Sequence, residues 1–260
     1  MNHWLNYFER NRNERLQIPW HLTIEIDERL KRPLVHSLQR FQIGESGEGR
    51  HLRAHAAATG DADYAAAIDL FIKEEQEHAC LMAAILRRLR APLLEDHWSD
   101  GCFMALRHLF GLKEEVLVLL LPEMIAKRYF RALHDGARDP VLRAVFAQIC
   151  HDEEGHLGFH IDMLQRVFAS WPWWKLAFIR LVWRVLFRGS CLVVMWDHRA
   201  VLRALGVSNS LFWWDCGLIF DEVAAKIFSS TPKPILLPQA GNRPVSGRSF
   251  TGETYAANPA

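Results

Sequence analysis

Two sets of acidic residues and histidine recur along the chain with the same spacing, and their side chains are ones that bind metal ions. Each set is a glutamate followed, thirty residues later, by a Glu-x-x-His sequence. Residues three apart on a helix share a face, so each Glu-x-x-His can offer a carboxylate and an imidazole to one ion. Two such sets predict a site for two metal ions, held by Glu45, Glu75, His78, Glu123, Glu153 and His156. We interpret a further match, Glu48-x-x-His51, as coincidental.

Apolar residues at helical spacing predict four long helices that position these side chains. In each predicted helix an acidic residue interrupts the apolar stripe. These acids are expected to lie at the same height in all four helices. Asp61 and Asp139-Pro140 have the residue types that begin helices. The predicted helices cover residues 33–59, 62–90, 112–134 and 139–170.

Buried carboxylates at one level require a compensating positive charge, because desolvation costs roughly several kcal/mol for each unpaired ion. Two divalent metal ions would supply that charge. The alternative is that some of these acids face solvent or form buried salt bridges. Mixed carboxylate and imidazole ligands suit iron or manganese, while zinc could use the same atoms without redox chemistry.

The rest of the chain divides into an N-terminal extension (1–33), the four-helix region (34–170), a tryptophan-rich helical extension (171–229) and a tail (230–260). The connection 91–110 contains a further helical pattern and is long enough to cross from one helix pair to the other. Two further helices are expected over 171–195 and 208–228. The tail is rich in proline, glycine and small polar residues, so we expect it to lack fixed structure.

Composition excludes several classes of function. The 31 basic and 30 acidic residues leave a net charge of +1, which argues against nucleic acid as a partner. The five cysteines occur singly, without the spacing of a zinc site, an iron–sulfur site or a disulfide framework. The N-terminus lacks the apolar stretch of a secretory signal. We expect a cytoplasmic protein, with a peripheral position at the inner membrane face left open.

The ligand pattern over residues 34–170 resembles the di-iron carboxylate proteins of the ferritin-like superfamily, such as rubrerythrins and the small subunit of ribonucleotide reductase. The resemblance implies an all-α protein: a ferritin-like four-helix bundle with a long crossover connection and additional C-terminal helices. It also implies two iron ions on the six residues above, with manganese as an alternative. Superfamily members often carry an acid before the Glu-x-x-His. Glu74 and Asp152 stand there, and each could accept the second imidazole N–H of a ligand histidine or be a solvated acid.

The activity implied by this resemblance is that of a non-haem di-iron oxidase or oxygenase, which activates dioxygen to oxidise a hydrophobic small molecule. Because the isolated cysteines cannot build an iron–sulfur module, electrons would come from an external donor. Met82 stands where the reductase subunit has its radical tyrosine, so a radical role of that kind is not expected. The alternatives are a non-catalytic or peroxide-scavenging metal binder and a membrane-surface protein that uses the bundle as a scaffold.

Glu48 and His160 are additional catalytic candidates. In a ferritin-like bundle the first and fourth helices run parallel, so these residues, each about one turn beyond a ligand, are expected to meet. They could support the ligands by hydrogen bonds, bind metal themselves or relay protons, and a buried ion pair is the simpler alternative.

Two further features leave alternatives open. Gly44, Gly47 and Gly49 surround Glu45, and they either leave room for dioxygen and substrate or allow close helix packing. In the tryptophan-rich extension, Arg180, Arg184 and Arg188 form a cationic stripe, so a membrane span is not expected. That extension would pack on the bundle, form a homodimer or lie in a membrane interface. An apolar cover over the metal site favours an apolar substrate.

Overall fold

The computed structural model describes residues 1–94 and 112–229, and in these ranges it contains nine α-helices and no β-strand. The predicted all-α class is therefore confirmed for the described residues. The predicted tail and most of the predicted crossover (95–110) lie outside them. The helices are α1 (Asn2–Asn13), α2 (Glu28–Gly44), α3 (Arg50–Ala58), α4 (Ala62–Arg88), α5 (Leu112–Gly136), α6 (Pro140–Phe168), α7 (Trp173–Asp197), α8 (Arg199–Ala204) and α9 (Asn209–Ile227).

The helices that carry the Glu-x-x-His motifs, α4 and α6, begin where the sequence predicted. The Asp61 side chain accepts a hydrogen bond of 3.0 Å from the backbone N–H of Tyr64, and Asp139 accepts one of 3.0 Å from that of Leu142. Each bond satisfies an N–H group that a helix start leaves free. Pro140 fits the first turn of α6, where its missing N–H costs nothing.

The first predicted helix, over 33–59, is wrong as a single element. It is two helices, α2 and α3, joined by a short link. Gly49 begins α3 with a φ of +63°, a left-handed conformation that favours glycine, and a Cβ there would lie 2.8 Å from Ile72 Cγ1. The chain turns at this glycine, which places Glu45 directly after α2 and Glu48 in the link.

Helix α1 was not predicted and packs on α4. It buries Trp4, Tyr7, Phe8 and Asn11, which share one helix face. The indole N–H of Trp4 donates a 2.9 Å hydrogen bond to Asp162 on α6. The N-terminal extension therefore contributes to the core of the molecule.

The ligand-bearing helices pack in two pairs, α2 with α4 and α5 with α6, and α4 also contacts α6. The tryptophan-rich helices α7 and α9 pack on this group: α7 contacts α5, and α9 contacts both α5 and α6. On α7 the buried Trp183 donates a 2.8 Å hydrogen bond to the carbonyl of Leu117. In the described ranges no helix has the length and apolarity needed to cross a bilayer.

Candidate metal centre

The structure brings all six predicted metal ligands together where α2, α4, α5 and α6 meet. Their ligand atoms form two groups, and in each group the atoms lie within 4.8 Å of one another. Glu75 belongs to both groups, so its carboxylate could contribute a ligand atom to either. The first group is Glu75, Glu123, Glu153 and His156, and the second is Glu45, Glu75 and His78.

The distances between these atoms suit a coordinated ion. His156 Nδ1 lies 2.9 Å from Glu75 Oε1 and 3.5 Å from Glu123 Oε2. His78 Nδ1 lies 3.8 Å from Glu75 Oε1 and 3.9 Å from Glu153 Oε1. Adjacent ligands of one ion with bonds of about 2.1 Å stand about 3 Å apart.

Five of these buried atoms have no hydrogen-bond partner, although buried polar atoms rarely lack one. These atoms lie close to one another, so an ion placed between them could accept their lone pairs. The residues present therefore fit a pair of metal ions. The unpartnered atoms are Glu75 Oε1, His78 Nδ1, Glu123 Oε2, Glu153 Oε2 and His156 Nδ1.

Carboxylates behind the two histidines set which nitrogen faces the centre. His78 Nε2 donates to Asp152 at 2.9 Å, and His156 Nε2 donates to Glu74 at 3.1 Å. Because each carboxylate accepts the Nε2 proton, Nδ1 keeps its lone pair for a metal. The prediction that Glu74 and Asp152 accept imidazole N–H groups is confirmed, and each acid serves the histidine of the other helix.

A buried hydrogen-bond network that the sequence did not predict holds these two acids. Asn11 on α1 donates to Glu74 at 2.7 Å and to Asp152 at 2.8 Å. Asp152 also accepts from Arg15 at 2.8 Å and from Gln148 at 2.9 Å. A signal was present, because Trp4, Tyr7, Phe8 and Asn11 have the spacing of one helix face within an otherwise polar segment.

Burial and neighbouring charges shift the pKa values of the groups at the centre. Burial and the facing carboxylate of Glu75 raise the pKa of Glu45 well above its usual value. Burial and the neighbouring Glu123 do the same to the pKa of Glu153. Burial opposes protonation of His156, yet the charge of Glu75 raises its pKa. Positive ions between these groups would remove the repulsion.

Tyr7 reaches the centre from α1 because residue 155 is glycine. A Cβ at Gly155 would lie 2.7 Å from the Tyr7 ring and closer still to its hydroxyl. The hydroxyl is buried without a hydrogen-bond partner. Burial, together with the charges of Glu74 and Asp152, raises the pKa of Tyr7 above its usual value, so the phenol stays protonated.

Glu48 and His160 do not meet, and this part of the sequence prediction is wrong. Glu48 lies in the exposed link after α2, where its side chain pairs with Arg50. The break at Gly49 removes the parallel alignment on which the prediction depended. His160 is fully buried against Phe71, and neither ring nitrogen has a hydrogen-bond partner. Burial and the nearby His156 lower the pKa of His160 to about 3, so its ring is neutral.

A cavity of about 720 Å³ reaches the centre, and four ligand carboxylates line it. Gly44 and Gly47 lie on its wall, and a Cβ at either would meet no atom within 4 Å. Close packing is confirmed for Gly49, which lies against Ile72, whereas Gly44 and Gly47 border open space in the cavity. Apolar residues supply most of the remaining wall, among them Phe41, Leu119, Ile125, Ala126, Leu186 and Val194.

A second polar group lies on the same cavity. The Ser37 hydroxyl contacts Tyr129 and lies 2.5 Å from His198 Nδ1, while Asp197 pairs with Arg40 at 3.2 Å. Arg40, Asp197 and His198 all line the cavity wall. The sequence could not predict this group, because its members come from three distant segments that only the folded chain joins.

Fold and site together define an all-helical protein with a buried cluster of carboxylates and histidines that could hold metal ions. No family model matches this chain, and neither the curated proteins nor the solved structures contain a match to it.

Proposed function

We propose that α2, α4, α5 and α6 form a ferritin-like four-helix bundle that binds two iron ions, and that the protein is a dioxygen-dependent oxidase or oxygenase of a hydrophobic organic molecule. Manganese is the alternative metal. The pairing of α2 with α4 and of α5 with α6 supports the bundle, because each pair contributes one glutamate and one Glu-x-x-His.

The observation that carries this proposal is the pair of ligand groups that share Glu75, with five inward-facing atoms that lack any partner. A structural salt-bridge cluster would pair these atoms with arginine or lysine. Here the cationic side chain, Arg15, lies behind the centre on Asp152. In the part of the chain that the structure describes, no arginine or lysine pairs with the inward-facing atoms, which supports a site for added cations.

The chain's own residues would prepare the centre for its ions. Glu74 and Asp152 orient the two imidazoles so that Nδ1 of each faces the centre. The side chains would therefore need little rearrangement when metal ions bind. The aromatic rings of Phe8 and Phe71 pack against His156 and limit its contact with water. The bound metals would supply the redox chemistry that activates dioxygen. Electrons would come from an external donor.

The substrate class is inferred from the cavity. Its wall is mostly apolar, and it leads to the carboxylates of Glu45, Glu75, Glu123 and Glu153. An apolar molecule in this space would lie beside the centre, while its contacts would exclude water.

The test is metal content by elemental analysis, on protein produced in iron-rich medium. We expect about two irons per chain, as in other bundles of this type. Glu75→Ala and Glu153→Ala should each lose most of the metal. Glu154→Ala is the matched control, because this neighbouring glutamate has a side chain that is 53% exposed. A chain that neither carries metal nor takes up ferrous iron without oxygen would overturn the proposal.

Oxygen uptake separates the enzyme from its alternatives. If the iron-loaded protein consumes dioxygen only when an apolar compound and a reductant are added, the oxidase assignment is supported. If it binds two irons but consumes peroxide instead, a peroxide-scavenging metal binder is the better assignment.

A further inference from the structure

The outer side of α7 exposes large apolar side chains along its whole length. They recur at helical spacing and form a stripe of roughly 33 Å at 1.5 Å per residue, with one gap of about two turns between Val185 and Leu192. Single exposed apolar residues are ordinary, but a contiguous row marks an interaction surface. We call this stripe the apolar face: Trp174 (61% exposed), Phe178 (64%), Leu181 (61%), Val185 (64%), Leu192 (55%) and Trp196 (60%).

Exposed apolar residues also occur at the start of α7 and on α9. Trp173 is 80% exposed, and Trp214 on α9 is 67% exposed. The two helices are joined by a 2.7 Å ion pair between Arg184 and Asp221 and by Arg188, which stacks on Trp213. These arginines therefore hold α9 beside α7.

The charge of this region points to a partner with negative charge. Residues 171–229, which include both helices, contain seven basic and four acidic residues, although the whole chain has a net charge of +1. All four acids are already paired with a basic side chain of this protein. Arg199 and Arg203 are exposed close to Trp196. Exposed tryptophan at both ends of an apolar helix, with arginine alongside, is typical of helices that lie in a membrane interface.

The cavity of the metal centre opens at the same helix. Val185 and Val193 line the cavity and are 64% and 42% exposed, respectively. Val185 is also a member of the apolar face. A surface that covers this face would therefore lie at the cavity opening.

We propose that the apolar face docks on a phospholipid bilayer that contains anionic lipid, with the cavity opening turned toward the membrane. A substrate dissolved in the lipid phase would then enter the cavity without crossing water; this second statement rests on the proposed function.

A second copy of the chain is a poorer occupant of the apolar face. A two-fold interface would bring two cationic segments together, and like charges oppose such contact.

The test is co-sedimentation of the full-length protein with vesicles of phosphatidylcholine, with and without phosphatidylglycerol. We expect binding to the anionic vesicles, weaker binding in high salt, and little binding to phosphatidylcholine alone. The variant Trp174→Ser/Phe178→Ser/Leu181→Ser should lower the partition coefficient by about tenfold or more, because three apolar anchors are lost. Arg199→Glu/Arg203→Glu should abolish the preference for anionic vesicles.

A matched control replaces three exposed leucines elsewhere, Leu16, Leu22 and Leu93, which are 40–44% exposed. Leu16→Ser/Leu22→Ser/Leu93→Ser should bind vesicles like the unmodified protein, and an equal loss would contradict the assignment to α7. Absence of binding would overturn the proposal. Sedimentation of the free protein would then identify the occupant: a dimer means a second copy, and a monomer means that the chain's own residues cover the face.

The vesicle measurements are repeated on metal-free protein and on Glu153→Ala. Because docking does not involve the metal, all forms should bind alike. Failure of metal binding and failure of docking are thus observed separately.

Discussion

The metal centre and the apolar face of α7 both depart from the usual distribution of side chains. The centre buries polar and charged groups, whereas the apolar face exposes large apolar ones. At the centre, His78, Asp152 and His156 are completely buried, where charged and polar groups are rare. On α7, Trp174 and Phe178 are more than 60% exposed, where large apolar groups are costly. Both regions belong to helices that pack on the same group, because α7 contacts α5.

The comparison indicates that, within residues 1–94 and 112–229, neither region is matched by side chains of the complementary kind. At the centre, carboxylates and imidazoles face one another, and on the apolar face large apolar side chains face outward. The cavity connects them, since it extends from Glu75 to Val185. The two regions should also differ in how mutations affect stability. Mutations at the centre should destabilise the fold, because a dense hydrogen-bond network holds it. Mutations on the apolar face should have little effect on stability.

The largest effect is expected for Asp152→Ala in the metal-free protein. Asp152 is fully buried and accepts hydrogen bonds from His78, Asn11, Arg15 and Gln148. Its removal leaves Arg15 without its closest charge partner and several donors unsatisfied. We expect the free energy of unfolding to fall by about 3–5 kcal/mol, measured by urea denaturation.

Glu154→Ala serves as the control for this variant, because it removes an exposed acid from the same helix. Its free energy of unfolding should change by no more than about 0.5 kcal/mol. Equal losses in the two variants would mean that the network around Asp152 does not stabilise the fold, and the contrast between the two regions would fail.

The residues of the centre could be predicted because they recur in the sequence at helical spacing. Helical periodicity places Glu75 and His78, and Glu153 and His156, on single faces, so the structure needed only to bring α4 and α6 together. The helix starts at Asp61 and Asp139 were likewise predictable, since capping is a local interaction. Long helices with local start signals are the part of a fold that sequence specifies most directly.

The features that the sequence did not predict depend on contacts between distant segments of the chain. The left-handed conformation of Gly49 and its close approach to Ile72 break the first predicted helix, and neither is visible in the periodicity. Glu48 was misplaced for that reason. Helix α1 was missed because its polar composition hid one apolar face, and Asn11 has a role only once α4 and α6 are packed beside it.

An intermediate effect is expected for Gly155→Ala, which tests how closely α1 packs on the centre. The new methyl group would overlap Tyr7, whose ring atoms would lie 2.7 Å from it. We expect a loss of about 1–3 kcal/mol in the free energy of unfolding, as in other overpacked cores. Tyr7→Phe should recover part of this loss, because it removes the closest atom, and a double-mutant cycle measures the coupling.

Gly189→Ala is the control for the glycine replacement. Gly189 lies inside α7, and a Cβ there would meet no atom within 4 Å. Alanine should stabilise that helix by up to about 1 kcal/mol. If both replacements stabilised the protein, Tyr7 would not be in close contact with Gly155 of α6.

The smallest effect is expected on the apolar face, from Phe178→Ser. Phe178 is 64% exposed, whereas Phe187 on the same helix is fully buried against α9, where it stacks on Phe220. Because Phe178 makes little contact within the chain, its replacement should change the free energy of unfolding by no more than about 0.5 kcal/mol. Phe187→Ser removes a core ring and should cost about 3–5 kcal/mol. If Phe178→Ser cost as much as Phe187→Ser, the side chain would be buried by the protein itself, and α7 would have no free face to offer a membrane.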